Sequence, residues 1–284
     1  FGVAPSNTTL TITYRHNEVG NANVAAGRLN QIVTADIEFN NESDLDPEKV
    51  EYMRSNIDVY NEDPINGDVS IPTTEEIRHR GLGYFATQKR AVTLQDYISS
   101  AYAMPTTYGS IKRCTIVRDE NDLRRNMNMF VVAESAAGKL EPASRKLKEN
   151  LKTHLNDVRM ISDSIDIFDA KIINLGLEFD VIPKNGVSMK SLAIDLREML
   201  YDELTAVPPD IGEPFYLSHV FALLQNHQDV LTVNNVKITS LSGEDYSDIF
   251  YNIDNNISPG KKFLYVPADF IWEIKYVTDI KSRQ

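Results

Sequence analysis

The sequence predicts an α+β fold: an N-terminal β-rich domain, a helical connector, split β-α-β (ferredoxin-like) sandwich units and a β-rich tail. Apolar and polar residues alternate in residues 8–14 and 33–39, which is typical of half-buried strands. Helix-capping patterns then follow, and strand and helix patterns alternate after Cys114. The expected domains are a β-rich domain with an acidic loop (1–72), the connector (73–110), a repeated β-α-β domain (111–240) and the tail (241–284).

Length and charge bound the class of protein. The 284 residues, 42% of them hydrophobic, suffice for a large core and two or three domains. A net charge of −12 with scattered Lys and Arg predicts that nucleic acid is not a partner. No apolar run approaches the roughly 20 residues of a membrane span, so we expect a soluble chain without membrane insertion. Because it begins at Phe1 with no signal pattern, we expect a fragment or a processed product.

The first 72 residues predict two strands and a short helix. The strands are 8–14 and 33–39, separated by a loop of small residues ending at Gly27. Residues 40–51 are acidic, and Pro47 is suitably placed to begin a solvated helix. This region is therefore expected to present an acidic surface.

Two capping patterns define the connector. Thr73 and Glu76 have capping-box spacing and predict one helix start. Thr93 with Asp96 predicts a second, which must end before Pro105 because proline disfavours a helical residue ahead of it. We therefore expect a short, well-delimited connector.

Four residues of the connector form a candidate structural joint that would set the angle between the two halves of the chain. Thr93 and Asp96 fix the helix start, and the adjacent residues complete the set: Arg90, Thr93, Asp96 and Tyr97.

The second half predicts strand, helix, strand twice over. Strands are expected at 128–133, 165–167, 175–181 and 233–239, and helices are expected to begin at Ser144, Ser188 and Ser218. Alternation within the strands favours antiparallel pairing with one solvated sheet face. The sequence thus predicts a loose internal repeat.

The tail predicts two aromatic strands, 263–266 and 271–277, that could close a sheet or dock on a neighbour. Aromatic residues at strand spacing are divided between core and subunit interface, although an exposed row would suit a sugar-binding platform. The candidate interface residues are Phe263, Tyr265, Phe270, Trp272 and Tyr276.

No residues with recognisable catalytic, cofactor-binding or metal-binding spacing occur. The five histidines are far apart, and no phosphate-binding or nucleophile motif is present. The single cysteine, Cys114, lies in an apolar, strand-like segment, which predicts a buried, inert thiol in a reducing compartment. We therefore expect no enzyme, no cofactor and no metal.

One basic cluster has two interpretations. Its members are either paired with neighbouring Glu75, Glu76 and Asp96, or they form a surface for an acidic partner. The cluster consists of Arg78, Arg80, Lys89 and Arg90.

Three segments in this order resemble the baseplate J-like family of contractile injection machines. They are GNANVAAG at 20–27, TEEIR at 74–78 and RAVTLQDY at 90–97. The long acidic form is similar to the C-terminal part of the baseplate wedge subunit of T-even type bacteriophages. Compared with shorter members of the family that it resembles, the chain is expected to have longer loops at 40–72 and 241–259.

The resemblance implies a structural virion protein of the tail baseplate, made late and assembled in the host cytoplasm. Such a subunit would associate with itself as a homodimer, and with other wedge subunits. In the particle it would form the ring that holds the baseplate together during its conformational change and sheath contraction. The alternative is a tail-associated envelope-binding or carbohydrate-degrading module, marked by converging carboxylates or by an exposed row of aromatics.

Overall fold

The computed structural model describes residues 9, 11, 23–40, 45–118, 126–243 and 245–283. Seven α-helices and ten strands lie in these ranges, which confirms the predicted α+β class. None of the helices found there combines the length and the apolar character needed to cross a bilayer.

The N-terminal region contains helix α1, Pro47–Ser55, as predicted. The Asp46 side chain accepts a hydrogen bond from the Glu48 amide, and proline occupies the first turn. By contrast, residues 33–39 form no strand, and Val33 is 96% exposed. Alternation yields a strand only where a neighbouring strand supplies hydrogen bonds, and no described strand lies beside this segment.

The N-terminal region is therefore not β-rich in its described part. It holds α1 and a single isolated bridge between Val24 and Ile65. The predicted strand at 8–14 falls outside the described residues, apart from Thr9 and Thr11.

Both connector helices form with the predicted caps. They are α2, Thr74–Thr87, and α3, Leu94–Tyr102, and each begins with a reciprocal capping box. A turn of 3-10 helix, Thr106–Tyr108, follows Pro105. Tyr97 and Ala101 of α3 are fully buried in the core of the first sheet. Hence α3 is part of a domain core rather than a free connector.

The first sheet is built around its second strand. β2 runs antiparallel to β1 and β3 and parallel to β4, and α4 makes the crossover between β2 and β4. Leu147, Leu151 and Leu155 of α4 fill the core. The elements are β1 Arg113–Arg118, β2 Asn126–Glu134, β3 Leu140–Glu141, α4 Arg145–Asn156 and β4 Ser164–Asp169.

The second sheet is built around the long strand β5. It pairs antiparallel with β7 and parallel with β9 and β10, while Leu192, Leu196 and Leu200 of α5 cover it. The elements are β5 Lys171–Pro183, α5 Met189–Thr205, β6 Phe215–Tyr216, α6 Leu217–Asn226, β7 Val230–Leu241, α7 Ile253–Asn256, β8 Phe263–Leu264, β9 Phe270–Glu273 and β10 Ile280–Ser282.

The two units of the predicted repeat differ in strand direction. Antiparallel pairing is right for β5 with β7 and wrong for β2 with β4, because α4 returns the chain in its original direction. In the tail, the predicted strand at 271–277 corresponds to β9, which extends the sheet of β5, and β10 adds a further strand to that sheet.

A small seam joins the sheets. Val132 of the first sheet packs with Ile172 and Ile271 of the second. Across it the Leu140 amide donates to Glu273 Oε1 at 2.9 Å, and burial raises the pKa of this carboxyl although the Leu140 hydrogen bond opposes the rise.

Candidate structural joint

The predicted joint contains a complete helix cap. Asp96 Oδ2 accepts hydrogen bonds from the Thr93 amide at 2.8 Å and the Val92 amide at 3.1 Å. Thr93 Oγ1 accepts in return from the Asp96 amide at 3.2 Å. Burial alone would raise the pKa of Asp96, but the amides of Thr93 and Val92 outweigh it and lower the pKa below its usual value.

Tyr97 ties α3 to the segment that follows α4. Its side chain is fully buried, and its hydroxyl donates to Asp163 Oδ2 at 2.8 Å and accepts from the Met160 amide at 3.2 Å. Burial, together with the hydrogen bond to Asp163, raises the pKa of Tyr97 to about 12. The Ala91 amide adds a bond to the Val158 carbonyl at 2.8 Å. These contacts hold α3 within the first sheet domain.

Arg90 lies apart from the other three joint residues. Gln88 and Lys89 adopt left-handed φ values of 52° and 63°, which ends α2 and turns the chain. Arg90 follows this turn with an exposed side chain, and its backbone amide donates to the Thr87 carbonyl at 3.1 Å. The structure thus brings together Thr93, Asp96 and Tyr97 without Arg90.

Replacing Thr93 and Asp96 together by alanine is expected to lower the free energy of unfolding by about 1–2 kcal/mol, the usual effect of a lost cap. Denaturant unfolding at neutral pH measures the loss. Because the cap orients the helix carrying Tyr97, assembly should also weaken. Unchanged unfolding would make this cap an ordinary surface feature.

The contribution of Asp96 should depend on acid pH. A carboxyl whose pKa is lowered by folding stabilises the protein above its unfolded-state pKa, and this stabilisation is lost as pH falls through its folded-state pKa. Asp96→Asn should therefore differ from the unmodified chain at pH 7 and converge with it below about pH 4. Unfolding curves across this range test the convergence, and a constant difference would contradict it.

Arg113, which sequence reasoning missed, joins three segments that are distant in the sequence. Its side chain is only 4% exposed; Nη2 lies 2.7 Å from Glu76 Oε1 of α2, and Nε lies 3.1 Å from Asp210 Oδ1. Nη2 also donates to the Pro208 carbonyl at 2.8 Å. One guanidinium therefore links α2, β1 and the loop between α5 and β6.

Glu76 also caps α2. Burial would raise the pKa of Glu76, but its hydrogen bond from Thr73 and the charge of Arg113 outweigh that and lower it. The same carboxylate thus starts a helix and fixes that helix to β1.

Lys112, which precedes Arg113 in the chain, connects the N-terminal region to the first sheet. Lys112 Nζ lies 2.9 Å from Glu134 Oε2, with both side chains buried, and contacts the Ser70 hydroxyl. The Ser70 amide donates to the same carboxylate oxygen at 2.7 Å. Adjacent residues at a strand start face opposite ways, so Lys112 and Arg113 bind different segments. The sequence feature that could have indicated these buried contacts is a Lys-Arg pair immediately before an apolar strand.

A cleft of about 640 Å³ lies between α2, α3, β1 and the loop that holds Asp210. The Arg113 guanidinium at its wall is already engaged by Glu76, Asp210 and carbonyls. Arg80 lies 4.0 Å from the ring centre of Tyr102, in a cation–π contact. The two arginines of this cleft therefore make contacts within the chain.

Of the two possibilities for the tail aromatics, core or subunit interface, Trp272 takes the core position. It is 8% exposed, its ring stands edge-on to Phe215 at 4.9 Å, and its Nε1 donates to the Glu213 carbonyl at 3.1 Å. Trp272 lies on β9 inside the second sheet, where its side chain faces the chain's own core.

The other candidate interface residues are more accessible but scattered. Phe263 is 38% exposed beside Tyr216, Tyr265 is 55% exposed, and Tyr276 is 39% exposed beside Tyr246. Phe270 is half-buried under Lys171. The five aromatics do not form one exposed row.

Cys114 is buried, as predicted. Burial raises the pKa of its thiol to about 12, even though a hydrogen bond with Tyr102 opposes the rise. Because the thiolate is the reactive form, Cys114 should resist aromatic disulfide reagents at pH 8 in the folded chain and react fully in denaturant. Rapid reaction without denaturant would show that this strand opens.

Among the described side chains, no group of three or more His, Cys, Asp or Glu residues could hold a metal ion.

Comparisons with known proteins give a distant structural likeness. No protein-family model and no curated protein matches the chain. A solved structure similar to it is the cryo-EM baseplate of the anti-feeding prophage, 6-fold symmetrised, with 14% identity and a TM-score of 0.48. The match covers 77% of this chain and 45% of that chain, so the present chain spans less than half of its neighbour. A likeness this distant does not assign a function.

Proposed function

We propose that this chain is a structural subunit of a contractile-tail baseplate wedge. By self-association, as a homodimer and ring, it helps to hold the baseplate together while the sheath contracts. It works in the virion tail, is assembled in the host cytoplasm, contacts other wedge subunits and carries no catalytic residues. The observation that carries this proposal is a concentration of exposed large apolar side chains in residues 45–92.

Most of these side chains lie on α1, on α2 and in the segment between them. Tyr52 is 65% exposed, Ile71 is 91% exposed and Phe85 is 75% exposed. Exposed apolar surface of this kind marks interaction sites in folded proteins, and obligate assemblies bury more than about 2,000 Å² in their contacts. A subunit interface accounts for this surface.

The use of buried charge supports a mechanical role. Arg113 and Lys112 connect segments that are far apart in sequence. Buried pairs of this kind penalise any rearrangement that separates their partners. A subunit that transmits force needs such fixed joints.

The deciding experiment is a density map of the assembled tail into which this fold is placed. We expect repeated copies in the wedge ring around the central hub. Placement in a peripheral fibre, or absence from the particle, would overturn the proposal. Turnover of cell-wall or lipopolysaccharide substrates, abolished by one carboxylate substitution, would favour the envelope-degrading alternative instead.

A further inference from the structure

One side of helix α2 makes contacts within its own chain. Glu76, Arg80, Gly83 and Thr87 recur at helical spacing, and they meet Arg113, Tyr102 and α3. A Cβ at Gly83 would lie 2.6 Å from Ser99 Oγ, so the two helices approach closely. This side of the helix is fixed.

The opposite side is apolar where a surface helix is normally polar. Arg78, Leu82 and Phe85 recur at i, i+4 and i+7; Leu82 is 55% exposed and Phe85 is 75% exposed. Ile77, 53% exposed, widens the strip. We call Ile77, Arg78, Leu82 and Phe85 the outer face of α2.

Cations frame the outer face. Arg78 lies within it, and Lys89 and Arg90 follow its C-terminal end; all three are exposed, and none forms an ion pair within the described ranges. Glu76 is taken by Arg113, and Asp96 is taken by the cap of α3. Of the two interpretations of the basic cluster, local pairing therefore does not occur for these three residues.

The chain carries a matching acidic surface on α1. Glu48, Glu51 and Tyr52 share one side of that helix, with Tyr52 65% exposed, and α1 buries only Val50. The carboxylates of Glu48 and Glu51 form no ion pair among the described residues. An exposed aromatic flanked by anions complements an apolar strip flanked by cations.

We propose that the outer face of α2 binds α1 of a second copy of this chain, in a head-to-tail contact. A symmetric contact of α2 with α2 would oppose three cations of each copy and offer only Glu75 against them. A head-to-tail contact uses two different surfaces of each subunit, so it builds closed rings or open filaments. The inference rests on the self-association within the proposed function and names the surfaces that carry it.

Two single variants and their mixture test the contact. Phe85→Glu blocks the α2 surface and Tyr52→Lys blocks the α1 surface. Circular dichroism should show that both variants retain their helices. Sedimentation velocity should show association of the unmodified chain, and each variant alone should associate roughly thirtyfold more weakly. Mixing the two leaves one intact pair of surfaces, so a one-to-one dimer should form and nothing larger. Phe250→Glu, at a residue 70% exposed and outside both helices, is the matched control and should associate normally.

Other outcomes overturn the inference. If Phe85→Glu associates like the unmodified chain, α2 is not the contact. If only Phe85→Glu is monomeric and Tyr52→Lys is unaffected, α2 binds something other than α1. An unmodified chain that stays monomeric at high concentration also rejects it, whereas the wedge role would still be decided separately by the location of the chain in the particle.

Discussion

Replacing Arg113 with methionine should lower the free energy of unfolding by about 1.5–3 kcal/mol, the usual effect of losing hydrogen bonds to charged groups. Methionine keeps much of the side-chain volume but removes the bonds to Glu76, Asp210 and the Pro208 carbonyl. Glu76 would remain partly buried without its cation. Equilibrium denaturation followed by fluorescence and by circular dichroism measures the loss. The two signals should separate if α2 and the Asp210 loop detach before the sheets unfold.

Arg145→Met is the matched control for the Arg113 variant. Arg145 pairs with Glu149 at 3.5 Å, but the two side chains are 83% and 53% exposed. An exposed pair contributes roughly 0–1 kcal/mol, so this variant should remain close to the unmodified chain. Equal effects of the two substitutions would show that burial of Arg113 adds nothing, and that the joint between α2 and β1 lies elsewhere.

Features encoded by adjacent residues could be predicted from the sequence. The caps at Thr73 and Thr93 and the start at Pro47 each depend on residues within one turn, and all three helices begin where those residues place them. Leu147 and Leu192 begin helical stripes that face the cores, because helical spacing alone assigns a residue to a face.

Features that depend on distant partners could not be predicted. The alternation in 33–39 specifies which side of a strand would be buried but supplies no neighbouring strand. Trp272 was a candidate for an interface or for the core because its spacing fits either side of a strand, and only the position of β9 in the second sheet places its side chain in the core. Arg113 was missed because both of its carboxylate partners are distant in the sequence. Glu76 lies 37 residues before it, and Asp210 lies in the loop after α5.

The candidate joint shows both cases in a few residues. Thr93 and Asp96 act through a local cap and were identified correctly as a pair. Tyr97 acts through Asp163, 66 residues away. The sequence therefore indicated that Tyr97 belongs to this helix start, but not that its hydroxyl binds Asp163. That this helix sets the angle between the halves stays a prediction, and Arg113 and Lys112 make further contacts between segments that the sequence did not predict.

Replacing Lys112 with methionine should also lower the free energy of unfolding by about 3–5 kcal/mol, because it leaves the Glu134 carboxylate buried without a cation. The Lys112 and Glu134 side chains are 8% and 5% exposed, so water cannot replace the lost charge without opening the structure. Since Ser70 binds the same carboxylate, the N-terminal region should loosen first. Hydrogen exchange should show faster exchange at the Ser70 amide than in β5.

A second substitution distinguishes unpaired charge from lost packing. In the double variant Lys112→Met with Glu134→Gln, glutamine keeps an oxygen that can accept from the Ser70 amide but carries no charge to be neutralised. The double variant should therefore be more stable than the sum of the two single losses implies, with a coupling of roughly 0.5–3 kcal/mol. Strictly additive losses would mean that Lys112 stabilises the joint through the packing of its methylene chain. In that case, two side-chain amide hydrogen bonds would mainly hold the N-terminal region. Asn23 donates to the Glu134 backbone carbonyl, and Asn66 donates to the Glu141 carboxylate.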